Sequence, residues 1–192
     1  MQNIVLASSS KYRRQILDKL PLTFTCCASA IDERPLPDEA PSSLALRLAI
    51  AKARSVAQTH PQHWIIGSDQ AAACDGMLLG KPGDRERALQ QLKHQSGKKV
   101  TFYTGVCLLD SNNGTIKTGL DICHVYFKDL NEAQLNRYLD REQPYDCAGS
   151  FKAEGYGIAL FRKIEGEDPN ALIGLPLIKL IDLLTQFGMT IP

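Results

Sequence analysis

The chain has 192 residues, 44% of them hydrophobic and 22% charged, with a formal net charge of +1. That size and balance suit a single globular domain, in one or two lobes, with enough apolar surface for a core. A charge so near neutrality gives no global drive toward nucleic acid or a membrane surface, and no apolar run approaches membrane-spanning length. The apolar run at 3–7 is too short for a signal peptide. Six scattered cysteines form no C-x-x-C pair and no metal-spaced set with the four histidines, so they are expected to be reduced core residues of a cytoplasmic protein.

Ile4 to Ala7 is a small apolar run suited to a buried strand, and three serines break it. Ser10 is a good N-cap for a helix in which Ile16, Leu17 and Leu20 recur at helical spacing. A strand feeding a helix through small residues presents backbone N–H groups and the positive dipole end, a ready anion site. Arg13 and Arg14 fall in the first turn, where that dipole disfavours cations, so phosphate is a natural partner. A capped helix with two solvated arginines accounts for the same residues.

Residues 23–28 read as a short strand, and the two prolines of 31–37 forbid regular structure there. Pro41, Ser42 and Ser43 start a long helix to about His60. Its apolar face is Leu44, Leu48, Ala51 and Val56, with Lys52 and Arg54 on other faces. An apolar strand from Trp64 ends in a polar exit at 67–70. Asp75-Gly76 signals a hairpin, with Met77–Leu79 returning antiparallel. Asp84 caps a helix to about Gln95. Two long strands, Lys99–Asp110 and 115–127, are joined by a turn at 111–114. A helix at 132–140, a shaped loop at 147–156, a strand at 157–163, a turn at 168–170 and a closing helix at 176–187 complete the chain. The pattern predicts an α/β fold, a mixed, twisted central sheet with helices on both sides.

Asp69, placed where open sheets bind ligands, is the first candidate for chemistry. Glu33 lies in the proline-stiffened segment and supplies a second carboxylate. Two carboxylates from separate segments suit a Mg²⁺-dependent phosphoryl site, since Mg²⁺ takes few carboxylates plus phosphate oxygens. Lys52 and Lys81 are the matching cations. Gly80-Lys81-Pro82 is not a Walker loop, because Asp75 replaces its first glycine and Pro82 its Ser or Thr. Each residue alone reads equally well as a turn or surface group.

Leu6-Ala7-Ser8-Ser9-Ser10 with Arg13-Arg14, Ile31-Asp32-Glu33, Leu48 through Lys52-Ala53, Gly67-Ser68-Asp69, Gly80-Lys81-Pro82, Thr104-Gly105 and Ala148-Gly149-Ser150 together resemble the Maf family of nucleoside triphosphate pyrophosphatases. The motifs run in the family's order over nearly the whole chain. The resemblance implies a metal-dependent enzyme that cleaves a nucleotide between its α- and β-phosphates, with two lobes around a cleft and frequent homodimers. It makes Asp69 the proton acceptor and gives Ser8, Arg13, Glu33, Lys52 and Lys81 the phosphates and the metal. Glu33 and Asp69 would hold a divalent ion, Mg²⁺ with Mn²⁺ as the alternative.

The thymidine- and uridine-type pattern carries threonine after the catalytic aspartate and glutamine in the later glycine-rich loop. This chain has Gln70 and Glu154 there, and Tyr12 before Arg13, and so resembles the subgroup that hydrolyses 7-methyl-GTP. Guanine offers N1–H and N2–H₂ as parallel donors that Glu154 can accept. Methylation at N7 makes the base cationic, which adds Coulomb attraction and a cation–π contact with Tyr12 of roughly 0.5–2 kcal/mol. The alternatives are a dTTP or UTP pyrophosphatase and a non-catalytic nucleotide-binding division regulator. An RNA binder would need a basic strip with interleaved aromatics, which the sequence lacks.

Overall fold

A computed structural model describes residues 3–191. The chain forms two compact units. One comprises the described residues up to Gln70, Tyr103–Asp121 and those from Asp168 on; the other comprises Ala71–Phe102 and Ile122–Glu167. The fold is α/β with a mixed sheet in the order β2-β1-β3-β5-β6-β7, and β4 pairs with β3. No helix among the described residues is long and apolar enough to cross a membrane.

In the first unit, β1 (Ile4–Leu6) lies parallel between β2 (Phe24–Cys26) and β3 (Trp64–Cys74), with Ile4 opposite both Phe24 and Trp64. Strand alternation sorts its core. Ile4, Leu6, Ile66, Val106 and Leu108 pack with Ile16 and Leu17 of α1 (Lys11–Leu17) and Leu180, Leu183 and Leu184 of α5 (Leu177–Gln186). Val5, Ile65, Cys107 and Leu109 pack instead with Ala49, Ala53 and Val56 of α2 (Pro41–Ala57). Helices therefore cover both faces. Residues 106–109 belong to β5 (Lys99–Asp110), which the turn at 111–114 joins to β6 (Ile116–Phe127).

In the second unit, Asp75 and Gly76 both have positive φ, +49° and +79°, the I′-type turn expected of Asp-Gly. They return the chain into β4 (Met77–Leu79), antiparallel to β3. Asp84 caps α3 (Arg85–Gln95), accepting from Arg87 N at 2.9 Å. Asn131 and Gln134 form a capping box on α4 (Glu132–Glu142). Phe102, Phe127, Phe151 and Phe161 meet edge to face with centroids 4.8–5.5 Å apart, the geometry aromatic rings prefer.

Several expectations need correction. β3 does not end in a polar exit at Gln70 but continues to Cys74, because Ser68 and Asp69 are buried strand residues with partners on opposite faces. Lys52 is not on another face of α2 from the apolar residues, since it stands four residues after Leu48 and four before Val56. It is 6% exposed, on the side of Leu48, Ala49 and Val56, and carboxylates from elsewhere in the chain neutralise it. α2 ends at Ala57, and α1 ends at Leu17 before Leu20. The expected strand at 157–163 is a 3₁₀ turn at Tyr156–Leu160 followed by β7 (Phe161–Glu165). The cysteines form no disulfide among the described residues, but Cys26 is exposed rather than in the core.

Candidate functional site

Small residues bring α2 onto β3. A Cβ at Gly67 would lie 2.1 Å from the carbonyl oxygen of Ala49, so only glycine permits this approach. Asp69 is two residues on from Gly67, on the same face of the strand, and Lys52 is three on from Ala49, one turn along the helix. The two side chains meet, with Lys52 Nζ 2.6 Å from Asp69 Oδ1 and 2.8 Å from Glu33 Oε1. Lys52 and Asp69 side chains are 8% and 11% exposed, whereas Glu33 is 53% exposed. A buried ammonium requires such pairing, since an isolated charge out of water costs several kcal/mol. Two carboxylates on one ammonium leave the cluster a net negative charge.

The neighbours of Asp69 face the other way and anchor it. Ser68 Oγ lies within donating distance of Gly105 O (2.8 Å) and Gly174 O (3.0 Å). Gln70 Nε2 reaches Thr104 Oγ1, Ala171 O and Leu172 O at 2.9–3.1 Å. Thr104 Oγ1 in turn donates to Ala171 O at 2.9 Å. Arg13 Nε donates to Gly174 O at 2.8 Å. Desolvation lowers the Arg13 guanidinium from its ordinary value, while attraction to Asp69 and Glu33 opposes that shift.

This 171–174 segment is held by Asp168, which is 1% exposed. Asp168 Oδ1 accepts from Asn170 N and Nδ2, both at 2.7 Å, and Oδ2 accepts from Ile178 N at 2.8 Å in the first turn of α5.

The structure thus joins Glu33, Lys52 and Asp69 and directs Arg13 toward them electrostatically. Ser8 is buried, and its Oγ accepts from Ser10 N at 3.1 Å. Tyr12 is half-buried with Lys11 Nζ over its ring, 5.0 Å from the centroid. Gln70's amide nitrogen is committed to internal acceptors, so its carbonyl oxygen is what it can offer a ligand. Lys81 and Glu154 belong to the second unit and are exposed. The loop carrying Glu154 is fixed to α4, with Tyr156 N donating to Glu142 Oε2 at 3.0 Å. A groove of about 710 Å³ beside α2, lined by Ile31, Arg47, Ile50 and Arg54 among others, includes none of these candidates.

Sequence reasoning named Ser68 and Thr104 within motifs and Asp168 within a turn but gave them no supporting role, and it did not single out Gly174. The available signal was the alternation Ser68-Asp69-Gln70, which reads as strand once both faces are allowed polar partners. As for a metal, Glu33 and Asp69 are oxygen donors from two segments converging on one cation, a set that suits a hard divalent ion.

The Maf-like protein family matches residues 3–187. A 7-methyl-GTP pyrophosphatase of Nitrosococcus oceani is 54% identical over 185 residues, 96% of this chain and 93% of that protein. Proteins of the same name from Pseudomonas savastanoi pv. phaseolicola and Alcanivorax borkumensis are each 51% identical, over 192 and 189 residues. They cover 100% and 98% of this chain, and the matches span 100% and 96% of those proteins. The structure of a HAM1 protein from Coxiella burnetii shares the fold at 16% identity and a TM-score of 0.55, covering 97% of this chain and 100% of that one. With a family match spanning nearly all of its length and relatives above half identity, the chain belongs to the Maf-like protein family.

Proposed function

We propose that this protein hydrolyses a nucleoside triphosphate between its α- and β-phosphates, with 7-methyl-GTP as substrate, releasing 7-methyl-GMP and pyrophosphate. The observation that carries the reading is the buried Lys52 bridging Asp69 and Glu33, in a chain whose relatives bear that enzyme's name. Water attacks the α-phosphorus, Asp69 takes its proton, and the bond to the α–β bridging oxygen breaks with pyrophosphate leaving. Lys52 engages one oxygen of Asp69, so the other is assigned as the proton acceptor. Gln70 and Ser68 fix the strand on either side, which preserves the aim of that carboxylate.

Arg13 and Ser8 are assigned to the phosphates, and Lys81 to the charge developing on pyrophosphate. Glu154 and Tyr12 are assigned to the methylated base. Glu33 and Asp69 would hold a divalent ion, Mg²⁺ or Mn²⁺, which when bound neutralises phosphate charge. A cytoplasmic setting, where nucleoside triphosphates are available, goes with this reading.

The test is pyrophosphate release by wild type and Asp69→Asn from 7-methyl-GTP, GTP, dTTP and UTP. Asp69→Asn is expected to fold and to lose at least ~100-fold in kcat, the scale of a general acid–base group. Undiminished turnover would remove Asp69 from the chemistry, and a wild-type preference for dTTP or UTP would overturn the substrate.

A further inference from the structure

The second unit holds a cluster that the proposed hydrolysis does not use. β3 ends at Cys74, the hairpin turn begins at Asp75, and the last turn of α3 carries His94. One ligand atom from each, a thiol sulfur, a carboxylate oxygen and an imidazole nitrogen, lie within 4.8 Å of one another. Cys74 is 1% exposed. His94 Nε2 is buried with no hydrogen-bond partner among the described residues, a condition that burial of a polar nitrogen makes costly. Lys98 Nζ sits beside the cluster, 2.8 Å from Asp75 Oδ2 and 3.4 Å from His94 Nδ1. The cluster therefore already attracts a cation, tethered on a side chain that is 39% exposed.

We propose that Cys74, Asp75 and His94 form a site for a borderline divalent transition-metal ion of the zinc class, and that Lys98 is the tethered cation which the ion displaces. Sulfur and imidazole ligands select such an ion over Mg²⁺, which prefers oxygen. Ligands at about 2.0–2.3 Å from zinc lie about 3.5 Å from each other, so modest rotamer changes close the set. Three protein ligands leave a fourth position for water. On binding, the Cys74 S–H bond breaks, its proton goes to solvent, and a sulfur–metal bond forms with no change of oxidation state. Burial first, and then the Asp75 charge, push the Cys74 thiol up, with Lys98 opposing. The ion must overcome that proton's hold. A bound ion would tie the β3–β4 hairpin to the end of α3 and so stiffen this unit.

Co²⁺ titration of the metal-stripped full chain under reducing conditions tests the proposal directly. Wild type should develop a thiolate-to-cobalt charge-transfer band that saturates at one ion per chain and is bleached by Zn²⁺. Cys74→Ser should lose the band, and His94→Asn should weaken binding by at least ~10-fold. Lys98→Met should bind about 2- to 5-fold tighter, the worth of removing a partly exposed competing charge. The double variant Cys26→Ser/Cys27→Ser should keep the band, since those adjacent thiols are the obvious competing site. No band in wild type, a band that survives Cys74→Ser, or Lys98→Met binding no tighter than wild type would each overturn the assignment. The His94 and Lys98 variants keep the test decisive if Cys74→Ser does not fold.

Discussion

Lys52 in the first unit and Lys81 in the second carry the same ammonium group in opposite settings. Lys52 is buried and clasped by two carboxylates from distant parts of the sequence. Lys81 stands exposed after β4, before Pro82 and Gly83. The difference separates two kinds of candidate site residue. A charge sealed into the fold is part of what holds the fold together, so its removal disturbs stability and chemistry at once. A charge left in water adds little to stability, so its removal reports on function alone.

Lys52→Ala should give the largest effect. It leaves Asp69 buried without its partner, and loss of one member of a buried pair costs about 3–5 kcal/mol. Denaturant unfolding would measure this, and Lys52→Met combined with Asp69→Asn should recover part of the loss. An unchanged unfolding midpoint for Lys52→Ala would erase the contrast between the two lysines.

Lys81→Ala should leave stability within about 0.5 kcal/mol of wild type. Its kcat should fall roughly 10- to 100-fold, the scale of one hydrogen bond to a charged group, with affinity for the nucleoside monophosphate retained. Equal losses of turnover and monophosphate affinity would move Lys81 from the pyrophosphate to the base or sugar.

Glu154→Gln comes next, with a cost of about 1–3 kcal/mol in kcat/KM, the scale of a damaged bidentate base contact. The loss should be greater for 7-methyl-GTP than for GTP, because only the methylated base is cationic. Tyr12→Ala should share that bias at smaller size, since Lys11 already lies over the ring. Identical losses on the two nucleotides would remove charge recognition from both residues.

Local chemistry made much of the fold legible. Ser10, Asp84 and the Asp75-Gly76 turn act within a few residues of themselves, and each does what its type predicts. The long strand Lys99–Asp110 was readable because its apolar run exceeds any turn signal inside it. The site was harder to read. Lys52 follows Leu44 and Leu48 at intervals of four, so helical periodicity itself puts it on the buried face; what periodicity does not show is its carboxylate partners, 17 and 19 positions away. Asp69 looked like a strand end because Ser68, Asp69 and Gln70 interrupt an apolar run, although each finds a buried polar partner after folding. The 3₁₀ turn at Tyr156–Leu160 imitates a strand in composition, and pairing with β6 begins only at Phe161, opposite Phe127.

The carbonyl of Gly174 accepts from both Arg13 and Ser68, and its own residue has a φ of +127°. A main-chain oxygen is present whatever side chain a position bears, so drift in the coding sequence cannot delete this acceptor. What drift can do is disturb the backbone that aims it. Any replacement at 174 must adopt a φ that L-residues rarely take and places its Cβ 3.4 Å from Arg13 Nε. Position 174 is therefore confined to glycine by its backbone, while the hydrogen bonds from Arg13 and Ser68 ask nothing of its side chain.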